Sequence, residues 1–168
     1  FPVLHLDLNA KKYETAADLI AMLNQYLEKW EAIYGDEKKD RSPEERFSYV
    51  IEQAFLKTGK NIVVLVDEYD KPMLQAIGNE ELQKYYRNTL KPFYGALKSK
   101  DGCIKLGFLT GVTKFGKVSV FSDLNNLIDI SMDEQYVELC GITEKEIHDN
   151  MEEDLHILAD KQKMTYEE

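Results

Sequence analysis

One stretch of this sequence limits the folds open to the chain more than any other. Residues 61–66 (NIVVLV) form a continuous apolar run, and two carboxylates, Asp67 and Glu68, follow it directly. Apolar, β-branched runs of this kind are typical of strands buried on both faces of a parallel sheet that helices cover. We therefore expect a buried strand with acidic residues at its carboxyl end.

Three further segments have the pattern of strands. They are short and apolar or alternating: residues 1–8 (FPVLHLDL), 104–110 (IKLGFLT) and 136–140 (YVELC). Helical patterns separate them, and strands that alternate with helices indicate an α/β fold with a mainly parallel sheet flanked by helices. Ligands bind beyond the carboxyl ends of the strands in such sheets. The residues that follow each strand are therefore the first candidates for a site.

The predicted helices begin and end at residues suited to helix ends. They run from Thr15 to Gly35, from Ser42 to Gly59, from about Pro72 to Lys100 with an interruption near Gly78 and Asn79, and onward from Thr143. Thr15, Ser42 and Thr143 each precede an acidic residue three positions later, as in a capping box. In the long third segment we expect Pro92 to kink or break the helix.

The net charge of −10 is concentrated near the carboxyl terminus. Residues 1–132 carry 19 acidic and 18 basic side chains, whereas residues 133–168 carry 12 acidic and 3 basic ones. This distribution excludes a globally basic nucleic-acid binder, but a nearly neutral body leaves room for a local phosphate site. We expect a core over residues 1–142, and over residues 143–168 an acidic helical segment that begins a lid or a following domain.

Cysteine use and hydropathy favour a cytoplasmic protein. Cys103 and Cys140 fit no metal-ligand spacing, so we expect two buried thiols in a reducing compartment. No apolar run reaches the ~18 residues that a membrane span needs, and we expect neither a signal peptide nor a membrane partner. Because the sequence begins inside an apolar run without an initiator Met, we also expect a piece of a longer protein.

The acidic pair after the NIVVLV strand has the form of a Walker B element of nucleotide hydrolases. A buried strand gives the two carboxylates a rigid mount, and Asp67 is the candidate ligand of Mg²⁺, an ion that keeps most of its waters. Glu68 is the candidate catalytic group that orients or deprotonates the attacking water. The alternative is an acidic turn that binds no ligand, and the spacing alone does not choose between the two.

Residues 111–117 (GVTKFGK) nearly spell a phosphate-binding P-loop, which has the form G-x-x-x-x-G-K-[ST]. The position that needs a hydroxyl is Val118, and the stretch follows the acidic strand, whereas a P-loop ordinarily precedes it. We interpret the glycines as turn residues, and Lys114 and Lys117 as facing either solvent or a phosphate that other residues bind.

Polar residues beside the other strand ends supply further candidates. Thr110 and Thr113 suit a polar sensor between the Walker B strand and the γ-phosphate, or else a hydroxyl that caps a turn. Asp7 lies at the ligand edge and is a candidate for indirect support of the site. For Asp70 and Lys71 we favour a surface or turn role over a contact with phosphate.

Several linked phrases resemble one family. They are residues 64–72 (VLVDEYDKP), 109–115 (LTGVTKF), 117–122 (KVSVFS), 124–127 (LNNL) and 139–144 (LCGITE). Together they are similar to the bacterial AAA-ATPase-like family, and the resemblance runs from Phe1 to about Ile147. Members of that family often carry a PD-(D/E)XK-type nuclease domain downstream.

The resemblance implies a partial P-loop NTPase core of the ASCE type that uses ATP and Mg²⁺. It implies Asp67 as the Mg²⁺ residue, Glu68 as the catalytic carboxylate and Thr110 as the sensor. It also implies that the first strand and the Walker A loop lie upstream of Phe1. The sheet would then have a gap unless association or rearrangement fills it.

The leading hypothesis is therefore the core of an ATPase whose full-length form hydrolyses ATP and controls an attached nuclease, and so acts on nucleic acid indirectly. The fragment itself is expected to be inactive, and a homo-oligomer is compatible with the sequence. The alternative is a non-catalytic interaction or scaffolding module with a degenerate nucleotide site. A metal-dependent nuclease site at Asp67, Glu68 and Asp70 is a third hypothesis, which we disfavour because no PD-(D/E)XK constellation occurs in this order.

Overall fold

The computed structural model describes residues 1–112, 124–136, 138–139 and 142–165. Strands and helices alternate through the first part of this range, as predicted. The strands are β1 (Val3–Asp7), β2 (Ile62–Asp67) and β3 (Ile104–Leu109). The helices are α1 (Ala16–Tyr34), α2 (Pro43–Thr58), α3 (Lys71–Gln75), α4 (Glu80–Ser99) and α5 (Glu144–Gln162), and 3₁₀ turns form at Asp101–Cys103 and Glu134–Tyr136.

The three strands form one parallel sheet in the order β1-β2-β3. Asp7 of β1 lies opposite Asp67 of β2, and Val66 of β2 lies opposite Leu109 of β3. The carboxyl ends of all three strands therefore meet at one edge. The predicted α/β class with a parallel sheet flanked by helices is confirmed, and the three described strands pair without a gap between them.

The two faces of the sheet differ in exposure. One face is buried in the core shared with α1, α2 and α4, and its residues include Leu4, Leu6, Ile62, Val64 and Val66. On the other face Val63 and Leu65 are half-buried, and Val3 and Leu106 are 51% and 52% exposed. The prediction that the apolar strand is buried on both faces is therefore confirmed for one face only, because the helices of the core cover that face. The other face of the strand is half-buried.

Capping boxes fix the starts of three helices, as the sequence predicts. At α1 the carboxylate of Asp18 accepts a hydrogen bond from the Thr15 backbone N–H at 2.7 Å. Equivalent boxes form between Ser42 and Glu45 and between Thr143 and Glu146. Each box satisfies backbone N–H groups that have no partner within the helix.

A stack of aromatic rings joins the three large helices of the core. The ring of Trp30 on α1 lies 5.7 Å from that of Phe47 on α2. The ring of Phe47 in turn stacks on Phe93 of α4 at 4.5 Å. Aromatic pairs at these separations add to the free energy gained by burying their area, so the stack sets the spacing of the helices above the sheet.

A buried ion pair holds α1 against α2. The guanidinium of Arg46 donates two hydrogen bonds of 2.7 Å to the carboxylate of Glu31, and both side chains are less than a tenth exposed. Its third contact is a 2.6 Å hydrogen bond to the Asn24 side-chain oxygen. The bidentate geometry orients both helices, because it fixes a plane as well as a distance.

Two predictions of secondary structure are corrected. The break, one of the two outcomes expected at Pro92, does not occur, and α4 continues through it because buried residues on both sides, Leu90 and Phe93, hold the two halves in the core. The strand predicted at residues 136–140 is absent from the described part of that segment, where Tyr136 ends a 3₁₀ turn and Leu139 donates to its carbonyl. Both side chains are about half exposed, so a strand there would have no sheet face to pack on. Val137 and Cys140 lie outside the described residues.

The chain divides into two compact units, residues 1–127 and 128–168. The first contains the sheet and the helical core. In the second, none of the described side chains of α5 is buried. The functional division expected at residue 142 stays a prediction. None of the helices within the described ranges is both long enough and apolar enough to cross a bilayer.

The buried pair predicts a large stability effect. Replacing Glu31 by Ala leaves the Arg46 charge buried and unpaired, so we expect the free energy of unfolding to fall by about 3–5 kcal/mol. Replacing both Glu31 and Arg46 by Met should recover most of the lost stability. Urea denaturation measures the free energy of unfolding of the single and the double variant. As a control, Asp36→Ala, which removes only an exposed pair with Lys39, changes stability by less than about 0.5 kcal/mol. Equal losses of stability in Glu31→Ala and Asp36→Ala would contradict the conclusion that the Glu31–Arg46 pair is buried and holds α1 against α2.

The capping boxes predict a dependence of stability on pH. The hydrogen bonds from the Ser42 hydroxyl and backbone hold the pKa of Glu45 below its ordinary value of 4.5. A depressed carboxyl pKa stabilises the fold above the unfolded-state pKa, and this contribution is lost as pH falls through the folded-state value. We expect Ser42→Ala to raise the Glu45 pKa towards 4.5 and to reduce the loss of stability on acidification. An NMR titration of the Glu45 carboxyl carbon tests this. Thr143→Ala is the matched change for Glu146. A Glu45 pKa that does not change in Ser42→Ala would contradict the prediction.

Candidate active site

The ends of β2 and β3 are joined at the edge where ligands are expected. Asp67 is the last residue of β2 and is exposed, and Thr110 follows β3 directly. The Thr110 hydroxyl donates a hydrogen bond to the Asp67 carboxylate. The Thr110 N–H also donates to the carbonyl of Val66, and its own carbonyl accepts from the Tyr69 N–H, both at 2.9 Å. Backbone contacts therefore hold the hydroxyl beside the carboxylate.

Glu68 has an unusual backbone conformation. Its φ is +55°, in the left-handed region, and its side chain is half-buried. Its carbonyl accepts a 2.9 Å hydrogen bond from Lys71 N–H in the turn that leads into α3. A non-glycine residue in this region costs about 1–2 kcal/mol, and such residues cluster at functional sites. The turn sets the direction in which the Glu68 carboxylate leaves the sheet.

Asp7 lies on β1 next to the same edge. It is the register partner of Asp67, and the following residue, Leu8, donates its N–H to the Asp67 carbonyl at 3.0 Å. The Asp7 carboxylate accepts the Asn9 N–H at 2.8 Å. The structure therefore brings Asp7 to the site, where its described contact shapes the turn after β1.

Asp70 differs from the surface role that the sequence favoured. Its side chain is fully buried, so that prediction is wrong for this residue. It precedes α3 at the cap position, which fits the turn role that the sequence also offered, and its Oδ1 accepts the Val112 N–H at 3.3 Å. The neighbouring Lys71 is half-buried and begins α3. A buried carboxylate three positions after a strand therefore belongs to the supporting structure of the site.

Tyr94 on α4 is a contributor that the sequence did not single out. Its hydroxyl donates to the Tyr69 carbonyl at 3.2 Å, and the side chain is fully buried. Burial raises the pKa of Tyr94 well above its ordinary value, so the group stays protonated and able to donate. The only sequence signal was its place beside the apolar stripe of α4, which indicates packing and not a contact with a site loop.

The two cofactor-binding candidates, Thr113 and Lys114, lie outside the described residues. So does the rest of the P-loop-like stretch after Val112. Within the described ranges, no group of three or more His, Cys, Asp or Glu side chains is arranged to hold a metal ion. Asp67 is exposed at this edge of the sheet.

Comparison with known proteins assigns the family. The sequence model of the AAA-ATPase-like family, described as predicted AAA-ATPase, matches residues 1–121 of the 168. The chain belongs to the AAA-ATPase-like family. The match covers all three strands and the edge that carries Asp67, Glu68 and Thr110.

A curated relative supports this assignment. The chain is 39% identical over 146 residues to a protein of Azotobacter chroococcum mcd 1 described as an uncharacterized protein in the vnfD 5' region. The alignment covers 87% of this chain but 28% of the relative, so the chain spans a little over a quarter of that protein's length. No solved structure matches the chain at a significant level.

The backbone of Glu68 yields a prediction. Because its φ is positive, we expect Glu68→Gly to be more stable than Glu68→Ala by about 1 kcal/mol. The same pair of changes at Glu81, in the first turn of α4, should give the opposite order because glycine weakens a helix. Thermal unfolding of the four variants measures both differences. An alanine at position 68 that matches or exceeds glycine would contradict the left-handed conformation.

Proposed function

We propose that the chain is the core of a P-loop ATPase that binds Mg-ATP at the carboxyl edge of the sheet and, in the full-length protein, hydrolyses it. The observation that carries this proposal is the hydrogen bond from Thr110 to Asp67, which joins the ends of β2 and β3. Family membership supports ATP as the nucleotide. We propose that the isolated chain does not hydrolyse ATP.

The chemistry of Asp67 fits Mg²⁺. Magnesium is bound through one or two carboxylates together with waters and substrate phosphates, and Asp67 is exposed at the end of a rigid strand. When bound, Mg²⁺ would neutralise charge on the phosphates. The Thr110 hydroxyl orients the Asp67 carboxylate, because it donates its proton to one of the two carboxylate oxygens.

Glu68 follows Asp67 immediately and is proposed as the group that orients the attacking water and accepts its proton. The left-handed conformation of Glu68 ends the extended backbone of β2 directly after Asp67. A carboxylate beside the metal residue can then face the water while Asp67 faces the ion. Thr110 is proposed as the sensor, which responds to the γ-phosphate through its hydrogen bond to Asp67.

Phosphate contacts are proposed to come from two sources. Thr113 and Lys114 follow β3 in sequence and supply a hydroxyl and a cation. The main phosphate-binding loop is proposed to lie in the longer protein, since the matched relative is more than three times the length of this chain. A fused nuclease domain that acts on nucleic acid under ATP control is likewise a proposal about the longer protein.

The test compares ATP hydrolysis by the full-length protein and its variants. We expect Glu68→Gln to lower kcat about 100-fold or more, because it removes the general base, while leaving the KM for ATP within a few fold. Asp67→Asn should raise the Mg²⁺ concentration needed for half-maximal activity, and chelation of Mg²⁺ should abolish hydrolysis. Glu81→Gln, an exposed change in the first turn of α4, is the control and should leave kcat unchanged.

Equal hydrolysis by the wild type and Glu68→Gln would remove Glu68 from the mechanism. Binding of Mg-ATP without hydrolysis by the full-length protein would favour the alternative of a nucleotide-responsive interaction module. Micromolar binding of Mg-ATP to the isolated 168-residue chain, measured by calorimetry, would show that these residues already contain the phosphate site and would overturn the proposed need for a further loop.

A further inference from the structure

Asp70 is buried without a role in the proposed chemistry. Its side chain is 0% exposed, although it lies three residues beyond the exposed Asp67. Burying a carboxylate is costly unless it is hydrogen-bonded or paired, so its contacts indicate its purpose. One of them is the Val112 N–H, at 3.3 Å, in the turn after β3.

Gly111 belongs to the turn after β3 and lies close to Tyr69 and Asp70 in the turn after β2. A Cβ on this residue would lie 2.7 Å from Asp70 Oδ1 and 2.7 Å from Cε1 of Tyr69. Real Cβ atoms essentially never approach other atoms so closely, and both neighbours are buried. A glycine is therefore needed here because of close approach, and the turn after β3 is pressed against the turn after β2.

The residue before this contact is Thr110. Its backbone is held by the Val66 carbonyl and the Tyr69 N–H, and its hydroxyl lies on Asp67. The Thr110 carbonyl belongs to the peptide that leads into Gly111, so the turn that Asp70 holds through the Val112 N–H is continuous with the residue that carries the hydroxyl. Tyr94 holds the opposite side of the Asp70 turn through the Tyr69 carbonyl.

We propose that Asp70 is a positioning residue, which locks the turn after β3 through the Val112 N–H and the close approach at Gly111, and so keeps the Thr110 hydroxyl on Asp67. This inference rests on the proposed function only for its effect on hydrolysis. The lock itself is a property of the 168-residue chain. Asp70 acts through its oxygen as a hydrogen-bond acceptor, and it contacts neither nucleotide nor metal.

The lock is tested first by hydrogen exchange, with NMR detection, in the 168-residue chain. Asp70→Ala should accelerate exchange of the Val112 amide by about fivefold or more, whereas Asp70→Asn, which keeps one acceptor oxygen, should leave it close to the wild-type rate. Gly111→Ala should accelerate the same amide from the other side of the contact, and it serves where Asp70→Ala folds poorly. Asp40→Ala, in an exposed loop, is the control.

The consequence for the site is tested in the full-length protein. We expect Asp70→Ala to lower kcat about tenfold with KM for ATP within about twofold, and Asp70→Asn to retain most of the activity. In a Thr110→Val background Asp70→Ala should cause no further loss, because both changes remove the same hydroxyl contact.

The lock and its effect on ATP hydrolysis are tested by different measurements, so either can fail without the other. Unchanged Val112 exchange in Asp70→Ala and Gly111→Ala overturns the lock, whatever the activity. Multiplying losses in the double variant, or equal losses in the Ala and Asn variants, overturn the positioning role and assign Asp70 a direct one. If the full-length wild type hydrolyses no ATP, the proposed function fails and the exchange rates alone decide whether the lock exists.

Discussion

Parallel pairing of β1, β2 and β3 determines which residues of this chain meet at the candidate site. The strands of a parallel sheet all end at the same edge, so residues distant in sequence meet there because of strand direction alone. Asp7, Asp67 and Thr110 lie at that edge because each ends or follows a strand. The register between β2 and β3 then decides which hydroxyl reaches which carboxylate, and a one-residue slip would move the Thr110 hydroxyl away from Asp67.

The helical layer extends this constraint to the loops. The aromatic stack and the Glu31–Arg46 pair fix α1, α2 and α4 relative to one another. Through the Tyr94 hydroxyl, α4 is hydrogen-bonded to the turn that carries Glu68 and Asp70. The turn is thus held from one side by a helix and from the other by the residues after β3. This support explains how a left-handed Glu68 persists, because an isolated turn would relax to a lower-energy conformation.

Much of the fold could be predicted because it depends on local chemistry. Capping boxes and the NIVVLV run specify their elements within a few residues. Long-range packing could not be predicted in the same way. Pro92 is accommodated because distant core residues fix both sides of it, and Asp70 is buried because Gly111, some forty residues later, closes over it. The roles of Asp67, Glu68 and Thr110 were predicted from spacing and resemblance, and their chemistry stays a proposal.

The central claim is that Mg-ATP binds at the carboxyl edge of the sheet, next to Asp67. Paramagnetic broadening by Mn²⁺-ATP in the full-length protein tests it directly, with threonine methyl groups as probes. Thr110 lies at that edge, whereas Thr58 precedes β2 at the opposite end, about 20 Å away along the strand. We expect the Thr110 methyl signal to disappear while the Thr58 signal persists, and Asp67→Asn to restore the Thr110 signal. An unbroadened Thr110, or equal broadening of both methyls, would contradict it.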